Sequence, residues 1–175
     1  MARVQRRDPA AFGRLVERHV DGIHGYLTQL TRSSFDADEL SQETFLRLWQ
    51  RAGSYRPGRV RLTTWLHTIA HHLAVDSLRR RRAEPVSAIP EVADEAPGPE
   101  ARLLAAEAGS SLQAALNVLP PNQRAAVLLC QVQGFSNRDA AAIIGVSVRS
   151  LESLLARARH SLRRALTDGE QHDAG

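Results

Sequence analysis

The side chains best equipped for chemistry sit in one run of the chain, HTIAHHLAVD, from His67 to Asp76. On a helix His67 and His71 project from the same side one turn apart. Two imidazoles at that spacing can share a metal ion, with His72 beside them and Asp76 one further turn along. A metal-dependent enzyme built on His67, His71 and His72 is therefore one reading. It finds no support elsewhere, because neither a catalytic acid or base nor a second cluster of ligands is evident. The competing reading makes the same histidines polar groups facing nucleic acid or solvent. It assigns no catalytic residue, no metal ligand and no cofactor, and it accounts for the cations as well.

The chain has 23 arginines and no lysine. Residues 1–82 carry 15 of them against 8 acids, residues 83–100 carry none against 5 acids, and residues 101–175 carry 8 against 6. Two basic blocks around an acidic spacer suit a partner with a phosphate backbone. Arg56, Arg59 and Arg61 lie in a loop with Pro57 and Gly58, and Arg79, Arg80, Arg81 and Arg82 form a run where the dipole of a preceding helix favours cations.

Helices must hold these groups. Asp8 and Pro9 cap and open one, with Phe12, Leu15, Val16, Val20, Ile23, Leu27 and Leu30 on one face. Thr31 to Phe35 breaks it, and Asp36 with Glu39 offers a cap pair for a second helix, DADELSQETFLRLWQRA, whose apolar side includes Leu40, Phe45, Leu48 and Trp49. A third runs from about Leu62 to Arg82 through Trp65, Leu66, Ile69, Ala70, Leu73 and Leu78. Residues 83–99 hold half of the 8 prolines among small and acidic residues, and read as an extended linker. A helix is expected from Glu100 to Leu119, ended by Pro120 and Pro121, and another from Asn122 to Gln133. Last comes a helix-turn-helix from Phe135 to Leu166: Ser136 and Asp139 form a cap box, Gly145 makes the turn, and Ser147 caps the second helix. In that helix Leu151, Leu154, Leu155, Ala158, Leu162 and Ala165 form an apolar stripe opposite Arg149, Ser153, His160 and Arg163. A pair of this kind normally places its second helix in a DNA major groove, and an ordinary helical hairpin with a solvated charged face is the alternative. No segment alternates like a strand, so the fold class is all-α, with two small helical domains.

No apolar run reaches membrane-span length and no signal core follows the basic N-terminus, so neither membrane insertion nor export is expected and the cytoplasm is the expected location. Cys130 is the single cysteine, which leaves no internal disulfide and suggests core packing.

Four blocks, DPAAFGRLVERHV, DADELSQETFLRLW, TTWLHTIAHHLAVDSLRRRR and LPPNQRAAVLL with the final helix-turn-helix, stand in order from Asp8 to Leu166. Together they resemble the extracytoplasmic-function (ECF) sigma factors of bacterial RNA polymerase. The resemblance implies a transcription initiation factor that binds core polymerase and directs it to promoters, in a stress or envelope response under a separate anti-sigma factor. It assigns residues 1–82 to a region-two-like domain, 83–99 to the linker, 100–168 to a region-four-like domain and 169–175 to a flexible tail. It implies polymerase contact by Asp38, Glu39, Leu40, Gln42, Glu43, Leu46 and Trp49. Reading and melting of the minus-ten element falls to Arg56, Arg59, Arg61, Leu62, His71, His72, Asp76, Arg79, Arg80 and Arg81. The minus-thirty-five element falls to Ser147, Arg149, Ser150, Glu152, Ser153 and Arg157. The chain departs from the family at Leu62, where an aromatic is usual, and at Glu152 and Leu154, where a lysine and an arginine are common. Glu152 is expected to pair with Arg149, and contact with a cytosine amino group is the minor alternative. A stand-alone helix-turn-helix regulator that binds DNA without polymerase remains the principal rival.

Overall fold

A computed structural model of the chain describes residues 1–83 and 116–170, with side chains as far as residue 165. Among these residues every regular element is helical. The first unit contains α1 (Ala2–Gln5), α2 (Pro9–Thr31), α3 (Ser34–Arg51) with a tighter turn over Ala52–Ser54, and α4 (Leu62–Ala83). The second contains α5 (Pro121–Val127), running into a wider π turn over Leu128–Val132, then α6 (Asn137–Ile144) and α7 (Val148–Glu170). The expected linker, most of the helix expected before Pro120, and the end of the tail lie outside the described residues.

Local chemistry sets the boundaries. The Asp8 carboxylate accepts from the Ala11 amide at 3.0 Å, and Pro9 occupies the first helical position of α2. The helix stops where Arg32 turns left-handed, with φ 64°. Ser33, not Asp36, then caps α3 by accepting from the Asp36 amide at 3.1 Å. The expected Asp36–Glu39 cap is thus displaced upstream, because Asp36 sits inside the first turn and is claimed by Arg81 at 2.7 Å. In the second unit the Ser136 hydroxyl accepts from the Asp139 amide at 3.1 Å, Gly145 ends α6 with φ 79°, and Ser147 accepts from Ser150 at 3.1 Å, as the sequence suggests. The π turn closes with the Phe135 amide donating to the Leu129 carbonyl at 2.9 Å, which drives the Phe135 ring inward.

One continuous apolar core links the units. Ile23, Leu27 and Leu30 of α2, Leu48 of α3 and Leu66 of α4 join Leu128, Leu129, Ile143 and Leu151. Each such side chain contributes about 1.5–3 kcal/mol when fully buried. Helix α4 is packed from two directions, by α2 and α3 on one side and by α6 on another. Polar bonds also cross between the units. Arg124 donates to the Leu30 carbonyl at 3.1 Å, Gln133 to the Gly22 carbonyl at 3.4 Å, and Arg61 pairs with Asp139 at 2.8 Å.

Helix α1 precedes Asp8, where the sequence signals the first helix, and has no cap or periodic signal of its own. That short turn docks because Val4 is buried and Gln5 donates to the carbonyls of Ala52 and Tyr55 at 3.1 and 2.9 Å.

Candidate nucleic-acid interface

Helix α4 separates its histidines. His67 is 6% exposed, with its ring edge-on to Phe135 at 4.7 Å and tilted against Tyr26 at 5.5 Å, while its Nδ1 bonds the Thr63 carbonyl at 2.9 Å. His71 is 3% exposed, and its Nδ1 shares a 2.9 Å hydrogen bond with the Tyr26 hydroxyl. Burial pushes both imidazoles below their ordinary range, His71 to about 4, with the neighbouring His72 adding to the effect on His71. Burial likewise raises the Tyr26 phenol. His71 therefore cannot be the DNA-facing group expected from the sequence: covering by the fold turns it into a neutral core residue, while His72 and Asp76 face solvent. Among the described residues no group of three His, Cys, Asp or Glu stands close enough to hold a metal.

The cations divide in the same way. Arg56, Arg59 and Arg80 are exposed, and Arg56 donates to the Gly53 carbonyl at 2.9 Å, which stiffens the loop before α4. Arg79 lies 3.5 Å from Asp76. Arg61 and Arg81, expected at DNA, are instead held by Asp139 and Asp36. Leu62 is half-buried. The nearest aromatic pair, Tyr55 and Trp65, packs ring to ring at 5.2 Å, and the Tyr55 hydroxyl donates to the Val60 carbonyl at 3.0 Å, so these rings shape the loop.

The N-terminal end of α7 is open. Ser147, Arg149, Ser150, Glu152, Ser153 and Arg157 are all exposed, opposite the buried Leu151 and Ala158. The Ser147 and Ser150 hydroxyls are 2.8 Å apart and Ser153 donates back to the Arg149 carbonyl at 3.0 Å. The expected ion pair between Arg149 and Glu152 is not made among the described residues. A fully solvated pair gains only about 0–1 kcal/mol, too little to fix two long side chains.

A third surface lies between α2 and α3. Pro9, Phe12, Val16 and Val20 form one wall of a groove of about 580 Å³, and Phe45, Leu46 and Trp49 form the other. Trp49 packs on Phe12 at 4.8 Å, with the Arg7 guanidinium 5.3 Å above its ring. Asp38 stands on the rim 3.0 Å from His24, Glu43 pairs with Arg47 at 2.6 Å, and Glu39 and Gln42 are exposed. Leu46 is 49% exposed. Leu40 belongs to a different face: it is buried in the core, and the expectation that it touches a partner is corrected by its position on the inner side of α3. The α2 wall and Arg7 were not anticipated. Phe12, Val16 and Val20, four residues apart, were the available signal.

Comparison with known proteins places these surfaces in context. Residues 15–84 match the family model for sigma-70 region 2, and residues 110–162 match that for sigma-70 region 4. The chain is 38% identical over 153 residues to the ECF RNA polymerase sigma factor SigE of Mycolicibacterium smegmatis, covering 85% of this chain and 59% of that protein. It is 36% identical over 159 residues to the ECF RNA polymerase sigma factor SigM of Mycobacterium tuberculosis, covering 91% and 79%. Among solved structures, CnrH in complex with the cytosolic domain of CnrY superposes with a TM-score of 0.71 at 28% identity, covering 95% of this chain and 94% of that one.

Proposed function

The chain belongs to the ECF family of RNA polymerase sigma factors, the initiation factors that direct the polymerase to promoters, and from that premise we propose how its three surfaces divide the work. The groove between α2 and α3 receives the clamp helices of the polymerase's largest subunit. Apolar side chains of those helices seat on Phe12, Leu46 and Trp49, while Asp38, Glu39, Gln42 and Glu43 meet basic and polar groups at the rim. The loop arginines Arg56 and Arg59, with His72, Asp76, Arg79 and Arg80 of α4, take the melted minus-ten strand. Ser147, Arg149, Ser150, Glu152, Ser153 and Arg157 face the minus-thirty-five element, with the serines and Glu152 able to reach base edges and the arginines phosphates or guanine.

The observation that carries this reading is the pairing of an exposed apolar groove with a carboxylate rim on the region-two unit. It suits a helical protein partner with apolar side chains and basic or polar groups. A regulator acting on DNA alone has no use for such a groove. The chain itself needs no active site, since nucleotide chemistry belongs to the polymerase, and such work places it in the cytoplasm. A separate anti-sigma factor completes the partner set; the related CnrH is bound to another protein's cytosolic domain. The direct test is binding to core polymerase by Leu46→Asp and Trp49→Ala chains. A loss of about tenfold or more with unchanged helicity supports the groove assignment, and unchanged affinity rejects it.

A further inference from the structure

A cavity of about 490 Å³, used by none of the three surfaces above, lies where the C-terminal ends of α2 and α4 meet the chain entering α5. Four guanidinium groups line it, those of Arg32, Arg81, Arg82 and Arg124. Among the described residues only Arg81 of these has a carboxylate partner, Asp36 at 2.7 Å. The other three cations surround one hollow without such a partner among the described residues.

The chain gathers these charges at a cost. Arg124 is 5% exposed, and its guanidinium donates to backbone carbonyls only, those of Leu116, Leu30, Asn117 and Leu119. Carbonyls satisfy its hydrogen bonds but do not cancel its charge, and Arg32 is near enough to repel it. Arg32 itself ends α2 in a left-handed turn, with φ 64°. Glycine would make that turn without a Cβ penalty, whereas arginine places a cation there. The helix ends offset this with partial negative charge alone.

The lining suits a compact polyanion. A guanidinium meets two phosphate oxygens through parallel N–H groups, and one as covered as that of Arg124 can be reached only by a small ligand. The rest of the wall differs in character. Leu78, Val118 and Pro120 are apolar, and the Asn117 side-chain oxygen meets no donor. Space for a ring and a hydroxyl donor therefore adjoins the cations, and the volume falls in the range of small-ligand pockets.

The geometry points to a binding site for a diphosphate held by Arg32, Arg82 and Arg124, with a nucleoside diphosphate as the ligand that also uses the apolar wall and Asn117. Neither Arg32 nor Arg82 belongs to the surfaces assigned to polymerase and promoter, so the site stands independently of the initiation-factor reading.

Calorimetric titration of the full-length chain tests it, with inorganic pyrophosphate, ADP and sulfate as probes at matched ionic strength. Pyrophosphate and ADP should each fill one site per chain, at least about tenfold more tightly than sulfate, with ADP no weaker than pyrophosphate. At a free concentration about a hundredfold above Kd, either should raise Tm by about 5 °C or more. Arg32→Gln and Arg82→Gln, both at exposed positions, should each weaken pyrophosphate about tenfold with helicity unchanged. Arg14→Gln, which removes an exposed arginine outside the cavity, should leave binding as it is. An equal response to sulfate would mean an adventitious ion only and would overturn the site, as would undiminished binding by both cavity variants. ADP binding more weakly than pyrophosphate overturns the nucleoside part. A last chain carries glutamine at Glu84, Glu91 and Glu95 and asparagine at Asp94. Pyrophosphate binding by that chain alone would assign the arginines to the protein's own acids and overturn the small-molecule site.

Discussion

The Tyr26 hydroxyl and the His71 Nδ1 lie 2.9 Å apart inside the region-two unit, with both side chains almost fully covered. A phenol whose deprotonation is opposed by burial and an imidazole pushed to about 4 make a neutral pair at physiological pH. His71 is therefore part of what joins α2 to α4.

The sign of its pH dependence follows. A histidine with a folded-state pKa below its unfolded value contributes fully above the unfolded value, 6.5, and loses that contribution as pH falls toward about 4. His71 alone accounts for up to roughly 3 kcal/mol over that interval, and His67 adds in the same direction. Urea unfolding between pH 7 and 4.5 should show stability falling with pH, and His71→Gln should flatten the slope. An equally steep slope in that variant would remove His71 from the account.

Arg124 offers a second check. Its guanidinium donates to the carbonyls of Leu116, Leu30, Asn117 and Leu119 at 3.0, 3.1, 3.3 and 3.0 Å, ending α2 and the start of the second unit together. Arg124→Met keeps the volume and leaves these buried acceptors unmet, so a loss of about 2–4 kcal/mol is expected in chemical denaturation. A change below about 0.5 kcal/mol would mean that water replaces the side chain without penalty.

The arginines should separate by their partners. Arg59 and Arg80 are exposed, whereas Arg81 is held by the buried Asp36. Alanine at Arg59 and Arg80 together should reduce the salt dependence of promoter binding by the holoenzyme by about one to two counterions without loss of stability. Arg81→Ala should instead lower stability, because it strands a buried carboxylate. The reverse pattern would exchange their roles.

Glu152 places a carboxylate on the exposed N-terminal face of α7, among Arg149, Ser150 and Ser153. Glu152→Lys should raise the nonspecific DNA affinity of the full chain and change which promoters the holoenzyme selects, measured by DNA binding and by transcript mapping. If both are unchanged, Glu152 does not face DNA.

Much of the fold was legible because helix signals are local. The Ser136–Asp139 cap box, the left-handed Gly145 and the Asp8–Pro9 start each depend on a few adjacent residues. Less legible was everything that depends on what covers a face. His67 and His71 look like an exposed polar pair within α4 alone, and only α2 and the Phe135 ring, far along the chain, make them interior. Leu40 and Leu46 are equally apolar, and only the packing of α2 on α3 decides which is buried. Asp36 resembled a cap until Arg81, at the other end of the unit, claimed it. Spacing shows which residues share a helix face, and the neighbouring helices determine what that face meets.

The account stands most directly on one measurement, transcript mapping with holoenzyme reconstituted from this chain and core polymerase of its own organism. It predicts a stable complex and transcripts that begin at a fixed distance downstream of a shared pair of minus-ten and minus-thirty-five sequences, absent with core polymerase alone. A chain that binds DNA but forms no complex with the polymerase and directs no such starts would contradict it.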